Sequence, residues 1–576
     1  MLDLLIQGGT LVDGTGAPRR QGDVGIRDGR IVAVGEVNEE AKRVVDATGL
    51  VVAPGFIDSH THFDAQVFWD GAVTPSPQHG VTTIVGGNCG FSVAPLSDES
   101  GPYLMRMLAR VEGIPVEALE EGVPWSWRSF DEYLSALEGK LAVNAAFMVG
   151  HSAIRRAVMA EDAITREATA DELAAMQRLL AESLEAGGLG FSSTLAPTHN
   201  DDNGVPVPSR WASHDEIVAL CRTVRDHEGT TLEFIPGVGV FNDEQVELMT
   251  EMSLAANRPL NWNVLVVQSF TEPVWRAQLE VSDRAAAKGA KVVALTPSQV
   301  MALRLNFRSG FILDTLPGWP EVISLPLEEK KKVLADPEKR AELDARANSD
   351  EAGVMRALAV WGNATITETF TEANEKYEGR KVGEIAEELG KTPFDTLVDI
   401  CLSEDLQTTF SPFIPGDDDA SWKMRAETWL DDRTIVGASD AGAHLDMINT
   451  FMCTTSLLGA GVREKGLVTL EQAVEQLTRV PAEHYGLKNR GVLTEGAHAD
   501  VTIFDPATVG PHEMGTQHDL PAGAGRLYAE ANGIAHVIVG GVEILTDGKL
   551  TGASPGTVLR SGRDTDTVEV PGGAAA

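Results

Sequence analysis

A chain of 576 residues, 43% hydrophobic and 23% charged, is too long for one ordinary core and reads as a globular enzyme of two or more domains. Its 47 Lys and Arg face 85 Asp and Glu, a formal charge of -38 that repels phosphate backbones and anionic lipid heads, which excludes nucleic-acid and membrane partners from the expectation. No apolar run of about 18 residues occurs, no basic leader precedes MLDLLIQGGT, and Cys89, Cys221, Cys401 and Cys453 are widely spaced, so the expected setting is the reducing cytoplasm.

The first fifty residues read as short strands, LLIQGGTLVDG, DVGIRDGRIVAVG and RVVDATGLVVAPG, punctuated by Gly and Asp-Gly turn signals. The same texture returns in ADVTIFDPATVG and HVIVGGVEILTDGKL, so residues 1–55 and 486–560 are expected to build one small β-sandwich from both ends. Residues 56–485 alternate strand and helix. AVNAAFMVG is a buried strand; Thr169 to Glu172 has capping-box form ahead of Leu173, Met176, Leu180 and Leu184; LGFSST is the next strand. Ser213 to Glu216 repeats the capping box ahead of Ile217, Leu220 and Val224, and TTLEFIP, PLNWNVLVV and RTIVGAS supply further strands. This rhythm predicts an α/β chain with a (β/α)₈ TIM barrel, whose site would lie at the C-terminal ends of the strands. A charged stretch entered through prolines, about 301–348, is read as an insertion beside the barrel, either a lid or a solvated helix pair. The small, polar end, 561–576, is read as a loose tail.

The most informative stretch is VVAPGFIDSHTHFDAQ, residues 51–66. His60 and His62 follow the short strand FID two residues apart, and alternate strand positions share a face, so both imidazoles can converge on one ion. Neutral imidazole suits Zn²⁺ and related transition metals. Together with HGVTTIVGGNCG (79–90), GHSAIRR (150–156), GLGFSST (188–194), VGASDAGAH (436–444) and RGVLTEGAHADVTIFDP (490–506), the motif resembles the amidohydrolase superfamily. The resemblance is strongest to the N-acyl-D-amino-acid deacylase (D-aminoacylase) branch and runs along nearly the whole chain. It implies that His60 and His62 are metal ligands and that Asp440 is both ligand and general base. Cys89 would ligate where many relatives carry a carboxylated lysine; its alternative is a small buried residue in a Gly-rich turn. The resemblance further implies one or two divalent ions, zinc first, and hydrolysis of a small-molecule amide. N-acyl-D-amino acids lead, cyclic amides, carbamates and lactones stay open, and so does self-association into a homo-oligomer.

The chain departs from that branch at two places, since relatives place histidines at the ends of the fifth and sixth strands. Here TTLEFIPG offers Glu233 and PLNWNVLVV offers Asn263, while His214 and His227 lie in helical regions. Three outcomes stay open. Glu233 ligates in place of a histidine; one ion is held by His60, His62 and Asp440 with Cys89 or Glu233; or metal is lost and the chain is a non-catalytic binding or assembly subunit. His151 is a candidate catalytic contact to the attacked carbonyl oxygen. His199, in the loop after the fourth strand, and Asn263 are candidate substrate contacts, and His444 a candidate for orienting ligands. A substrate carboxylate would call for a guanidinium, from Arg155 first and otherwise Arg156, Arg210, Arg304 or Arg308.

Overall fold

Both ends of the chain meet in one nine-stranded sheet of the computed structural model, which describes residues 1–573. Strands Leu2–Leu11, Arg20–Arg27, Arg30–Gly35, Ala41–Asp46 and Val51–Pro54 come from one end, and Val501–Phe504, Ile534–Val539, Val542–Thr546 and Lys549–Leu550 from the other. Val51–Pro54 pairs antiparallel with Val501–Phe504, and this is the seam between the two ends. The Asp-Gly signals are hairpin turns. Asp28-Gly29 and Asp547-Gly548 hold φ of 50°/71° and 50°/73°, the left-handed pair that a two-residue hairpin loop requires. Leu4, Ile6, Val24, Ile26, Ile503 and Ile538 pack into the core of this unit.

Between the ends lie eight short strands: β1 (Phe56–Asp58), β2 (Val81–Gly86), β3 (Asn144–Phe147, continued by Val149–Gly150), β4 (Gly190–Thr194), β5 (Thr231–Ile235), β6 (Leu260–Trp262), β7 (Val292–Thr296) and β8 (Thr434–Val436). Each pairs in parallel with the next. All their residues are buried, as a parallel sheet covered by helices demands. A parallel bridge from Thr61 to Ala441 brings the segment after β8 beside the segment after β1. The chain is therefore an α/β protein with an added sheet, and among the described residues no helix is long and apolar enough to cross a membrane.

The two helix caps behave differently. Thr169 and Glu172 close a full capping box on the helix Ala170–Glu185. Ser213 caps His214–Arg225, but Glu216 does not return the bond. Its carboxylate turns inward to His151 and Arg155 instead. An unpaired buried guanidinium costs far more than an exposed amide left to water, so the interior partner wins.

The layer between β7 and β8 runs well past the charged stretch that announced it. Helices Leu327–Ala335 and Pro337–Ala347 are followed by Val382–Leu389 and Pro393–Ser403, with Thr365–Glu368 paired to Thr409–Ser411. The layer has its own core, in which the Trp361 ring lies 5.7 Å from Trp319 and 5.0 Å from Phe394. Those anchors are scattered along the sequence without a local period, so the pattern hides the layer's extent.

The tail expectation is corrected. Thr565 Oγ1 donates to the Gly229 carbonyl at 2.6 Å, Asp566 N–H to the Gly486 carbonyl at 2.7 Å and Gly572 N–H to the Gly289 carbonyl at 2.8 Å, while Val570 is buried. Small residues let the segment lie close against glycine backbone, where their backbone bonds replace the side-chain burial the composition lacks. Residues 574–576 lie outside the described residues.

Candidate metal centre

His60 and His62 follow β1 directly, and their Nε2 atoms lie 3.3 Å apart. Cys89, after β2, brings Sγ to 3.3 Å from His60 Nε2 and 3.5 Å from His62 Nε2. Asp440, after β8, brings Oδ1 to 3.5 and 3.1 Å from the same two nitrogens. Cys89 and Asp440 hold φ of 57° and 54°, left-handed values that cost a non-glycine residue about 1–3 kcal/mol and here turn both side chains to one point.

His60, His62 and Cys89 form a three-donor group whose ligating atoms all lie within 4.8 Å of one another, and Asp440 stands beside the two imidazoles. Zinc bonds of about 2.0–2.2 Å to nitrogen or oxygen and about 2.3 Å to sulfur set neighbouring ligands about 3.3 Å apart for N···N and about 3.6 Å for N···S. The N···N and N···S separations of His60, His62 and Cys89 match those edges within about 0.3 Å.

The electrostatics point the same way. Burial raises the carboxyls of Asp58 to about 7, Asp64 to about 6, Glu112 to about 7 and Glu233 to about 8. Burial also lifts the Cys89 thiol well above its ordinary range, and Glu233 and Asp440 add to it. Burial pushes His60 down to about 3, which leaves its imidazole neutral. At His62 burial is outweighed by Glu112 and Asp440, which raise it to about 9. Burial opposes ionisation of Asp440, but hydrogen-bonded His62 holds it below the usual carboxylate range. Such a dry, acid-rich pocket around two imidazoles and a thiol is one that a divalent cation neutralises, taking the thiol as thiolate.

Glu233 stands in a different place from the one expected of a ligand. Its Oε2 accepts the Cys89 N–H at 2.8 Å, and its Oε1 lies 3.9 Å from Nδ1 of His60, the nitrogen on the far side of the ring from the cluster. Neither Oε1 nor that Nδ1 has a closer partner. Glu112 faces Nδ1 of His62 in the same way at 3.3 Å. Each imidazole is thus backed by a carboxylate. Asn263 does reach the cluster, with Nδ2 3.3 Å from His60 Nε2.

A cavity of about 370 Å³ opens onto this cluster, lined by Asp440, Asn263, His199 and His444 among others. His199 lies 2.9 Å from Thr194 Oγ1, and His444 Nε2 lies 3.8 Å from Asp440 Oδ2. His151 and Arg155 do not join them. His151 has Nδ1 2.8 Å from Ser193 Oγ and Nε2 2.9 Å from Glu216. Arg155 donates to Glu216 at 2.5 Å and to the Arg166 carbonyl at 2.9 Å. Both are fully buried and tied to Glu216, away from the cavity at the cluster. Arg210 is spent on the carbonyls of Pro197 and His199, Arg156 pairs with Glu161, and Arg304 and Arg308 line a different cavity.

Two features of the site escaped the sequence reading. Asp58, held by Ser439 Oγ at 2.6 Å, ties the end of β1 to the residue beside Asp440. The alternation Asp58, His60, His62, Asp64 was a legible signal for it, because it runs on from the strand Phe56–Asp58 at every second residue. Glu112 ends the helix Ser100–Val111 and carries no local signal.

The chain matches the Amidohydrolase family over residues 43–544. It is 31% identical over 563 residues to the D-aminoacylase of Alcaligenes xylosoxydans xylosoxydans, covering 97% of each chain. The N-acyl-D-aspartate deacylase of the same organism is 31% identical over 574 residues, covering 97% of this chain and 95% of that one. The solved N-acyl-D-glutamate deacylase from Bordetella bronchiseptica, complexed with zinc and a phosphonate inhibitor, superposes with a TM-score of 0.64 at 27% identity, covering 97% of this chain and 100% of that one. On this match, and on the donor set that the fold assembles, the chain belongs to the amidohydrolase family.

Proposed function

We propose that this protein hydrolyses the amide bond of N-acyl-D-amino acids, with a divalent metal, zinc first, held by His60, His62, Cys89 and Asp440. Membership of the family makes it a hydrolase of carbon–nitrogen bonds other than peptide bonds, and the acylated D-amino acids named for its relatives supply the substrate class. The observation that carries the reading is the convergence of His60, His62 and Cys89, with Asp440 beside both imidazoles and facing the cavity. His60, His62 and Cys89 are buried, while the Asp440 side chain is 17% exposed and lines the cavity. This convergence argues against a non-catalytic subunit.

When bound, such an ion would supply Lewis-acid polarisation of the amide carbonyl and a lowered pKa for attacking water. Asp440, ionised at neutral pH, takes the proton from that water and passes it to the leaving nitrogen. The water oxygen bonds to the carbonyl carbon, the C–N bond breaks, and the products are a carboxylate and an amine. The Asn263 amide stands where it can donate to the carbonyl oxygen as charge develops there. Glu233 and Glu112 take no part in bond making. They stand behind the Nδ1 atoms of His60 and His62, at 3.9 and 3.3 Å, and leave each Nε2 facing the cluster.

We also propose that β1 to β8 close into a (β/α)₈ barrel spanning 56–485, with the terminal sheet, 1–55 and 486–560, as a composite sandwich. The ordered parallel pairing and the Thr61–Ala441 bridge support closure, and closure sets the cluster at the C-terminal ends of the strands. The four free, buried cysteines accord with a cytoplasmic setting.

Metal analysis beside a panel of N-acyl-D and N-acyl-L amino acids tests the function. Stoichiometric zinc with turnover of the D-series is expected; protein that takes up no metal under any supplementation overturns the reading. Glu233→Gln is expected to weaken metal binding by about 10–100-fold while the site persists. Competition with a chelator measures this, and unchanged affinity removes Glu233 from any role behind His60.

A further inference from the structure

The walls of the cavity at Asp440 carry a second message. Val264, Val266, Met301, Leu303, Met447 and Ile448 line it beside the uncharged polar Gln268, Thr271 and Gln278, and no Lys or Arg does. Asp314, its acid away from the cluster, is paired with Arg110. His199 is held down to about 3 by burial, so it brings no positive charge. The guanidinium groups that might have received a carboxylate, those of Arg304, Arg308 and Arg526, line a separate cavity, where Arg304 faces Glu368. Val238, a lining residue on the loop after β5, is 62% exposed. The lining thus joins the apolar Val264 and Met447 to the exposed Val238.

The two halves of an N-acyl amino acid make opposite demands on such a space. The amino-acid half carries a carboxylate, which would lose its hydration here with no cation to replace it. The acyl half has nothing polar beyond its carbonyl, and that group belongs at the metal cluster. Each methylene that such walls cover is worth about fourfold in affinity.

We infer that this cavity is an acyl pocket, and that the preferred substrates carry an extended apolar acyl chain on the carbonyl side of the scissile amide. The inference rests on the amide-hydrolase reading of the same site. The acyl chain runs from the carbonyl carbon at the cluster along Val264 and Met447 toward Val238. The amino-acid half stays outside the apolar walls.

The test is a chain-length series on one D-amino acid, from N-acetyl through N-butanoyl and N-hexanoyl to N-octanoyl. kcat/KM is expected to climb by about fourfold per methylene over the first steps, so that the octanoyl compound exceeds the acetyl one by at least about 100-fold. A flat or falling series overturns the acyl pocket. Ketomethylene isosteres of the same compounds, with CH₂ in place of the amide NH, are titrated by calorimetry into the metal-loaded protein, where nothing is cleaved. Affinity that climbs with length upholds the pocket even if no amide is turned over, in which case it is the hydrolase reading that fails. Affinity independent of length overturns the pocket even if turnover is seen.

Discussion

Asp440→Asn is expected to lower kcat by about 10²–10⁴-fold, the range set by losing a general base in the transition state. The substitution keeps the shape of the side chain and removes its capacity to accept a proton. It also removes a negative charge 3.1 Å from His62 Nε2, so metal affinity falls too. Parallel measurement of metal content and kcat separates the two effects. At saturating metal the loss in kcat persists if Asp440 carries the proton, and it disappears if the residue only ligates. Recovery to within tenfold of the parent at saturating metal would remove it from proton transfer. The fold is expected to survive, because the residue is partly exposed and is hydrogen-bonded mainly to the cluster itself.

His60→Ala has a still broader effect, since it is expected to yield protein that purifies without metal. Carbonyl polarisation is worth several kcal/mol of barrier, so activity drops by about 10³-fold or more. His60 is fully buried between Cys89, Asp440, Asn263 and Glu233, and its removal leaves those groups facing an empty space lined by acids. Chelator-resistant metal in the variant would show that the remaining donors suffice. Joined to Asp440→Asn, the substitution is expected to add little further loss, because residues that act as one unit do not contribute additively.

The ligands were legible because the chain writes them compactly. His60 and His62 stand in one strand exit, Cys89 in a Gly-rich turn and Asp440 at a strand end, each recognisable without knowledge of its neighbours. What the sequence hides is which atom of a ring faces which partner. Glu233 lies on the expected strand, yet only the folded geometry shows that it addresses Nδ1 of His60 rather than the cluster. Arg155 misled for a similar reason. A guanidinium beside a GHS motif suggests a carboxylate clamp, and its true partner, Glu216, lies 61 residues further along the chain. Six of the eight strands and both flanking sheet segments followed from periodicity and turn residues, whereas Val81–Gly86 and Val292–Thr296 were not read as strands. The extent of the layer between β7 and β8 did not, because its aromatic anchors have no regular spacing.

The seam between Val51–Pro54 and Val501–Phe504 has a consequence for biosynthesis. The strand that leads into His60 stays without its antiparallel neighbour until nearly the whole chain has left the ribosome. Contacts of such long sequence separation form slowly, and an unpaired edge invites association with other nascent chains while it waits. A premature stop anywhere before residue 501 would leave that edge bare immediately beside the first two metal ligands, so truncated products are expected to aggregate rather than to persist as smaller enzymes.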